Sequence, residues 1–164
     1  MWERANPQST SYSGSKQLGT TTSGSFGLVT GASAGSSVGA NDIDNGNTSI
    51  LSPEITLPAD GNLTLTFSSY FSHYSNATSA DFFSLSVIQA NGNEVTLFEE
   101  LGAGVDQDAN WSNQTIDLSA YAGQTIQLQF EAADAAGGSL VEAGVDDVKI
   151  EQSTVNALLE PKVD

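Results

Sequence analysis

The chain has 164 residues, 20 of them acidic against 4 basic, for a formal net charge of −16, and it has no cysteine. That length is one domain's worth and can bury a sizeable core, while the charge excludes nucleic acid and anionic membranes as partners, since both would be repelled. Disulfides and thiolate metal sites are excluded with the cysteines, and no apolar run approaches the roughly 18 residues of a membrane span.

A charge of this size also works against a compact state unless cations sit among the carboxylates, a role calcium would fill. The opening MWERANPQ (residues 1–8) has no apolar h-region, so it is not a signal peptide. The scarcity of Lys and the wealth of Ser, Thr, Gly and Asn still have the character of a secreted protein. The expectation is that Met1 begins a piece excised from a larger exported bacterial protein.

Residues 7–49 are poor in large apolar side chains, and FGLVTG (Phe26–Gly31) is their one clear strand. Ordered loops and edge strands are expected around it. GSSVG (Gly35–Gly39) matches G-x-S-x-G, but a nucleophile elbow needs a helix to follow, and ANDIDNGN starts none.

GANDIDNGNTSILSP (Gly39–Pro53) sets Asp42 and Asp44 among glycines and asparagines. Calcium takes about 6–8 oxygen ligands, and this loop offers two carboxylates, amide oxygens and several carbonyls. It is not an EF-hand loop: with Asp42 as position 1, Gly46 falls one place early and Pro53 stands where the bidentate Glu belongs. The bland alternative is a solvated Asx turn. If calcium binds, a distant acidic pair must complete the shell. Asp146 and Asp147 are the candidates, with Asp81 and Glu142 behind them.

From Thr48 onward period-two patterning dominates. Leu63, Leu65, Phe67 and Phe71 share one strand face, with Thr64, Thr66, Ser68 and Tyr70 on the other. His73 reads as a strand-end or packing residue. FFSLSVIQANGNEVTLFEEL is two strands joined at Asn91-Gly92, the signature of a type I′ hairpin. Ile126, Leu128 and Phe130 alternate with Thr125, Gln127, Gln129 and Glu131. In LVEAGVDDVKIE the apolar set changes parity between Val145 and Val148, which requires a bulge at Asp146-Asp147. The fold class is therefore all-β: an antiparallel β-sandwich of jelly-roll or related topology over residues 1–151. Residues 152–164 form a C-terminal tail, either with a short helical turn at Val155–Leu159 or disordered.

Zinc hydrolysis needs about three His, Cys or carboxylate ligands, and one His with no Cys supplies them poorly. Four cations support anion-stabilising chemistry badly, so the chain by itself is read as no enzyme. The rival function is sugar binding through exposed aromatics, for which Tyr70 and Trp111 are the candidates. Five N-x-S/T sequons (Asn47, Asn62, Asn76, Asn110, Asn113) mark surface positions if the host glycosylates.

Five stretches, WERANPQSTSYSGSKQLGTTTSGSFGLVTG, NDIDNGNTSILSPEITLP, SHYSNATSADFFSLSV, DLSAYAGQTIQLQFEAAD and LVEAGVDDVKIE, carry a family resemblance. Together, over residues 2–151, they resemble the C-terminal accessory domain of secreted bacterial zinc carboxypeptidases of the carboxypeptidase A type. More loosely they resemble calcium-containing MAM-like and galactose-binding-like jelly rolls. The resemblance implies a non-catalytic β-sandwich serving stability, docking to the parent catalytic domain, or attachment to a protein or polysaccharide substrate. It implies calcium shared by Asp42, Asp44, Asp146 and Asp147, with Asp81 less closely matched. The family's His-x-x-Glu zinc ligands have no counterpart, so zinc and peptidase activity would belong to a preceding domain outside this chain.

Overall fold

The computed structural model describes residues 1–135 and 137–153. Twelve strands run in the order β1 (Glu3–Ala5), β2 (Thr10–Ser11), β3 (Ser15–Gln17), β4 (Gly27–Val29), β5 (Gly46–Leu51), β6 (Ile55–Thr56), β7 (Asn62–His73), β8 (Phe82–Gln89), β9 (Glu94–Leu101), β10 (Ser112–Asp117), β11 (Thr125–Asp134) and β12 (Val141–Ser153). One five-stranded sheet has the order β1-β4-β12-β7-β10. The second runs β5-β11-β8-β9, with β6 also on β11, and β2 and β3 form a separate hairpin. All pairings are antiparallel. Neighbours distant in sequence, such as β12 on β7, make this a jelly-roll-like sandwich, as the patterning predicts. The only helical element among the described residues is a 3-10 turn at Ser119–Tyr121.

The expected faces meet in the core. Leu63, Leu65, Phe67 and Phe71 from β7 are buried against Phe83, Leu85 and Val87 from β8 and Ile126, Leu128 and Phe130 from β11. Phe83 and Phe130 stack with centroids 6.3 Å apart, and Phe67 meets Phe130 edge-on at 5.4 Å. His73 keeps the inward parity of Phe71 and is fully buried.

Two local expectations are revised. The β8–β9 turn is not type I′: only Gly92, at φ 81°, has positive φ there, and its N–H bonds the Gln89 carbonyl at 2.8 Å. A right-handed turn through Ala90 and Asn91 followed by a left-handed Gly makes the same reversal with Asn91 unstrained. The last strand continues to Ser153, past the expected boundary at 151. The tail expected from residue 152 on lies outside the described residues from 154 onward.

The bulge falls where the parity change puts it. Asp146 pairs with Ser68 and Lys149 with Thr66, three steps against two, and Asp147 adopts φ 51°. β4 pairs with β12 only at Gly144 and Val145. Among the described residues, β12 beyond the bulge thus has β7 as its single neighbour. Beside this half-open edge an apolar cleft of about 300 Å³ separates the two sheets, lined by Leu28, Ile50, Leu51, Pro53, Ile55, Leu128, Phe130 and Val148.

Candidate functional site

The outer face of the five-stranded sheet is divided in two by the N-terminal segment. Residues 15–20 cross its upper half: the Ser72 hydroxyl donates to the Lys16 carbonyl at 2.6 Å, and the Trp111 indole N–H donates to the Thr20 carbonyl at 3.1 Å. Lys16 fixes the crossing, its wholly buried ammonium donating to Asp106 Oδ1 (2.8 Å), the Gln107 carbonyl (3.0 Å) and Asp108 Oδ1 (2.9 Å).

This cover corrects the expectation for Tyr70. Its strand position faces outward, but the overlying segment leaves it 2 % exposed, edge-on to Trp111 with centroids 4.8 Å apart. Burial pushes its hydroxyl well above the ordinary value. Tyr70 therefore supports Trp111 and offers no face to a ligand.

The lower half of the face is open. Thr66 and Ser68 of β7, Asn113 and Thr115 of β10, and Asp147 at the bulge line a shallow groove of about 320 Å³ with Phe67 and Gln114. Asn113 pairs with Ser68, whose hydroxyl donates to its Oδ1 at 2.9 Å. Trp111, two residues before Asn113, has the parity of the same face and is partly exposed. The lining is hydroxyl and amide with one carboxylate; Trp111, outside that lining, is fixed at its N–H and against the Tyr70 ring.

The acidic residues expected to share one ion fall into separate places. Asp42 Oδ2 accepts from the Val141 N–H at 3.4 Å. Asp146 and Asp147 lie five and six residues further along β12, about 16 Å or more at the rise of a strand. There they are held by another loop: Asp146 Oδ2 accepts from the amides of Thr22 (2.9 Å) and Ser23 (3.2 Å), and the Thr22 hydroxyl lies 2.8 Å from Asp147 Oδ2. The Ser23 hydroxyl donates to Asp147 Oδ1. These hydroxyls hold the Asp147 carboxyl below its ordinary value. Neutral donors supply the relief that the paired charges at the kink need.

Asp81 is buried, and its oxygens accept from the amides of Thr78 (2.7 Å) and Ala135 (2.9 Å), tying the β11–β12 connection to the start of β8. The Ser139 hydroxyl lies between Asp81 and Asp134.

Asp42 differs. Its Oδ1 is buried without a hydrogen-bond partner. Desolvation, with the charges of Asp44 and Asp134, raises its carboxyl to about 6. Glu142, buried beside it and bonded to Thr30 Oγ1, is raised to about 8 by desolvation and by Asp42. Sequence reasoning misses Asp134, although its parity is that of Ile126, Leu128 and Phe130: a carboxylate at a core position of β11 is the signal that could have found it. Among the described residues no three of these acids, with or without His73, form a metal-ligand group. The five-carboxylate shell does not assemble, and only the Asp42 end retains an unsatisfied oxygen.

No protein-family model matches the chain, and no curated protein sequence does. Solved structures do resemble it. A family 16 carbohydrate-binding module is similar over 80% of this chain and 79% of its own, at 9% identity and a TM-score of 0.44. The CBM22-1–GH10 modules of Clostridium thermocellum xylanase 10B, solved with xylohexaose, match 86% of this chain and 24% of theirs, at 18% identity and TM-score 0.42. The CBM22-1 xylan-binding domain of Paenibacillus barcinonensis Xyn10C matches 81% and 76%, at 16% and 0.38. Each of these three TM-scores lies below 0.5.

Proposed function

We propose that this β-sandwich is a non-catalytic carbohydrate-binding module whose ligand lies across the lower outer face of the five-stranded sheet, against Trp111. The observation that carries this reading is the anchored, partly exposed indole of Trp111 on the same sheet face as a shallow groove that Thr66, Asn113 and Thr115 line. An aromatic face takes the C–H side of a sugar ring, while hydroxyl and amide side chains exchange hydrogen bonds with its hydroxyls; binding sites commonly combine a rigid apolar surface with a few polar groups. Catalysis is poorly provided for: His73 is buried, Lys16 is committed to two carboxylates, and GSSVG lies in a loop that leads into β5. Affinity electrophoresis through soluble polysaccharides tests the reading. Retention by at least one polymer, lost in Trp111→Ala and kept in Tyr70→Phe, is expected. Retention unchanged by Trp111→Ala, or retention by none, overturns it.

A calcium ion at the Asp42 turn is a second proposal, favoured by the buried and unpartnered Asp42 Oδ1 beside Asp44 and Asp134. The ion would be structural, offsetting carboxylate repulsion with oxygen ligands. The wider context, an accessory domain of a secreted zinc carboxypeptidase, is proposed from the sequence resemblance. A full-length gene product with a His-x-x-Glu catalytic domain upstream is its test, and the isolated chain is expected to hydrolyse no peptide.

A further inference from the structure

We propose that the groove on the sheet face of Trp111 admits neutral polysaccharides and rejects acidic ones, a selectivity that rests on the carbohydrate-binding reading above. The charged groups on this face set the choice. Asp147 lies in the groove wall, Asp117 continues the outward row of Asn113 and Thr115 on β10, and Glu151 faces out from β12 opposite Thr64. The cation on the same face, Lys149, lies opposite Thr66 and is engaged by Glu151 at 2.7 Å. A ligand carboxylate or sulfate would thus meet three carboxylates and one ammonium already committed to one of them.

Hydrogen bonds favour the carboxylate form of Asp147 and Asp117. Asp147 accepts hydroxyl hydrogen bonds from Ser23 and Thr22, and Asp117 accepts the Ser119 N–H at 2.8 Å. The floor is neutral, with no basic side chain among the residues that line the groove. It can recognise sugar hydroxyls without a charge partner. The net charge of −16 reinforces the exclusion at longer range.

The experiment is affinity electrophoresis and calorimetry of the whole chain against two polymer sets at low and moderate salt. The neutral set is arabinoxylan, mixed-linkage glucan and hydroxyethylcellulose; the acidic set is polygalacturonate and alginate. Binding to a neutral polymer is expected, with acidic polymers held at least about tenfold more weakly. Added salt should narrow that gap, because exposed charges are screened within about 10 Å at 0.1 M. Asp117→Asn with Glu151→Gln, both outside the groove's lining, should narrow it too, without weakening neutral binding. Asp117→Asn alone provides the second variant, since Asp117 lies away from the Thr22–Ser23 contacts and leaves that loop intact. Acidic polymers binding as tightly as neutral ones, or a gap indifferent to both salt and the substitutions, overturns the selectivity. If acidic polymers bind as tightly as neutral ones and Trp111→Ala abolishes both, the carbohydrate reading survives while this inference falls. If no polymer binds, both fall.

Discussion

The ring of Tyr70 lies directly on Gly144 of the neighbouring strand, so that a Cβ added to the glycine would stand 2.2 Å from Tyr70 Cε1. The ring cannot lift freely, because the N-terminal segment and Trp111 hold it from above. Gly144→Ala should therefore cost about 1–3 kcal/mol as an overpacking change. Denaturant titration would register a lower midpoint. The same substitution should weaken polysaccharide retention by displacing Trp111. A variant as stable as the wild type would show that the outer layer is looser than the packing implies.

Lys16 gives an asymmetric prediction. Its side chain is fully buried, whereas the Asp106 and Asp108 side chains are 31% and 55% exposed. Lys16→Met leaves two carboxylates that water can reach, at a cost of about 1–3 kcal/mol. Asp106→Asn with Asp108→Asn leaves a buried ammonium without a counter-charge, for about 3–5 kcal/mol. Denaturation midpoints should rank the double variant as the less stable. The reverse order would mean that the stem of Lys16, not its charge, fixes the N-terminal segment.

Stability should fall as pH rises through neutrality. Asp42 and Glu142 are raised from ordinary values of 3.8 and 4.5 to about 6 and about 8. For a group whose folded value is raised, the contribution is complete below the unfolded value and is lost as pH climbs through the folded one. Melting curves in EDTA between pH 5 and 8.5 should show a declining midpoint, and Glu142→Gln should flatten the upper part of the decline. Asp117 and Asp147, lowered from 3.8, act oppositely, losing their contribution only in stronger acid. A midpoint that rises toward pH 8 would contradict the burial of ionisable Glu142.

Calcium is checked by the same melts at fixed pH. A ligand that binds only the folded state raises the midpoint by mass action, by about 2.7 kcal/mol at a hundredfold excess over Kd. Calcium should raise the midpoint, EDTA should lower it, and Asp42→Asn should remove the response. Asp146→Asn should leave the response intact, since its carboxylate is engaged by Thr22 and Ser23. Silence to calcium in the wild type would remove the ion from the account of this protein.

Much of the sandwich is legible in the sequence because burial on one face writes a period of two into it, as in Leu63-Leu65-Phe67 and Ile126-Leu128-Phe130. The bulge at Asp146–Asp147 is legible for the same reason: a strand with one buried face cannot change parity without an inserted residue. The site is less so. Tyr70 follows the alternation faithfully, yet what covers it is tied by side chains to the carbonyls of Lys16 and Thr20, contacts that leave no mark on composition or period. The charge of the acidic pair implies a cation, whereas Thr22 and Ser23 answer it with amides and hydroxyls from more than a hundred residues away.

The half-paired last strand has a consequence for association between molecules. Below the bulge β12 presents backbone amides and carbonyls with no partner on one side among the described residues, beside exposed Val148 and Leu51. Such a border is a template for another chain's strand, and native proteins guard it with kinks and charges. The guards here are the left-handed Asp147, the exposed Lys149–Glu151 pair and the polyanionic character of the molecule. Acid strong enough to neutralise those carboxylates removes this guard and opens the way to strand-to-strand association along the seam.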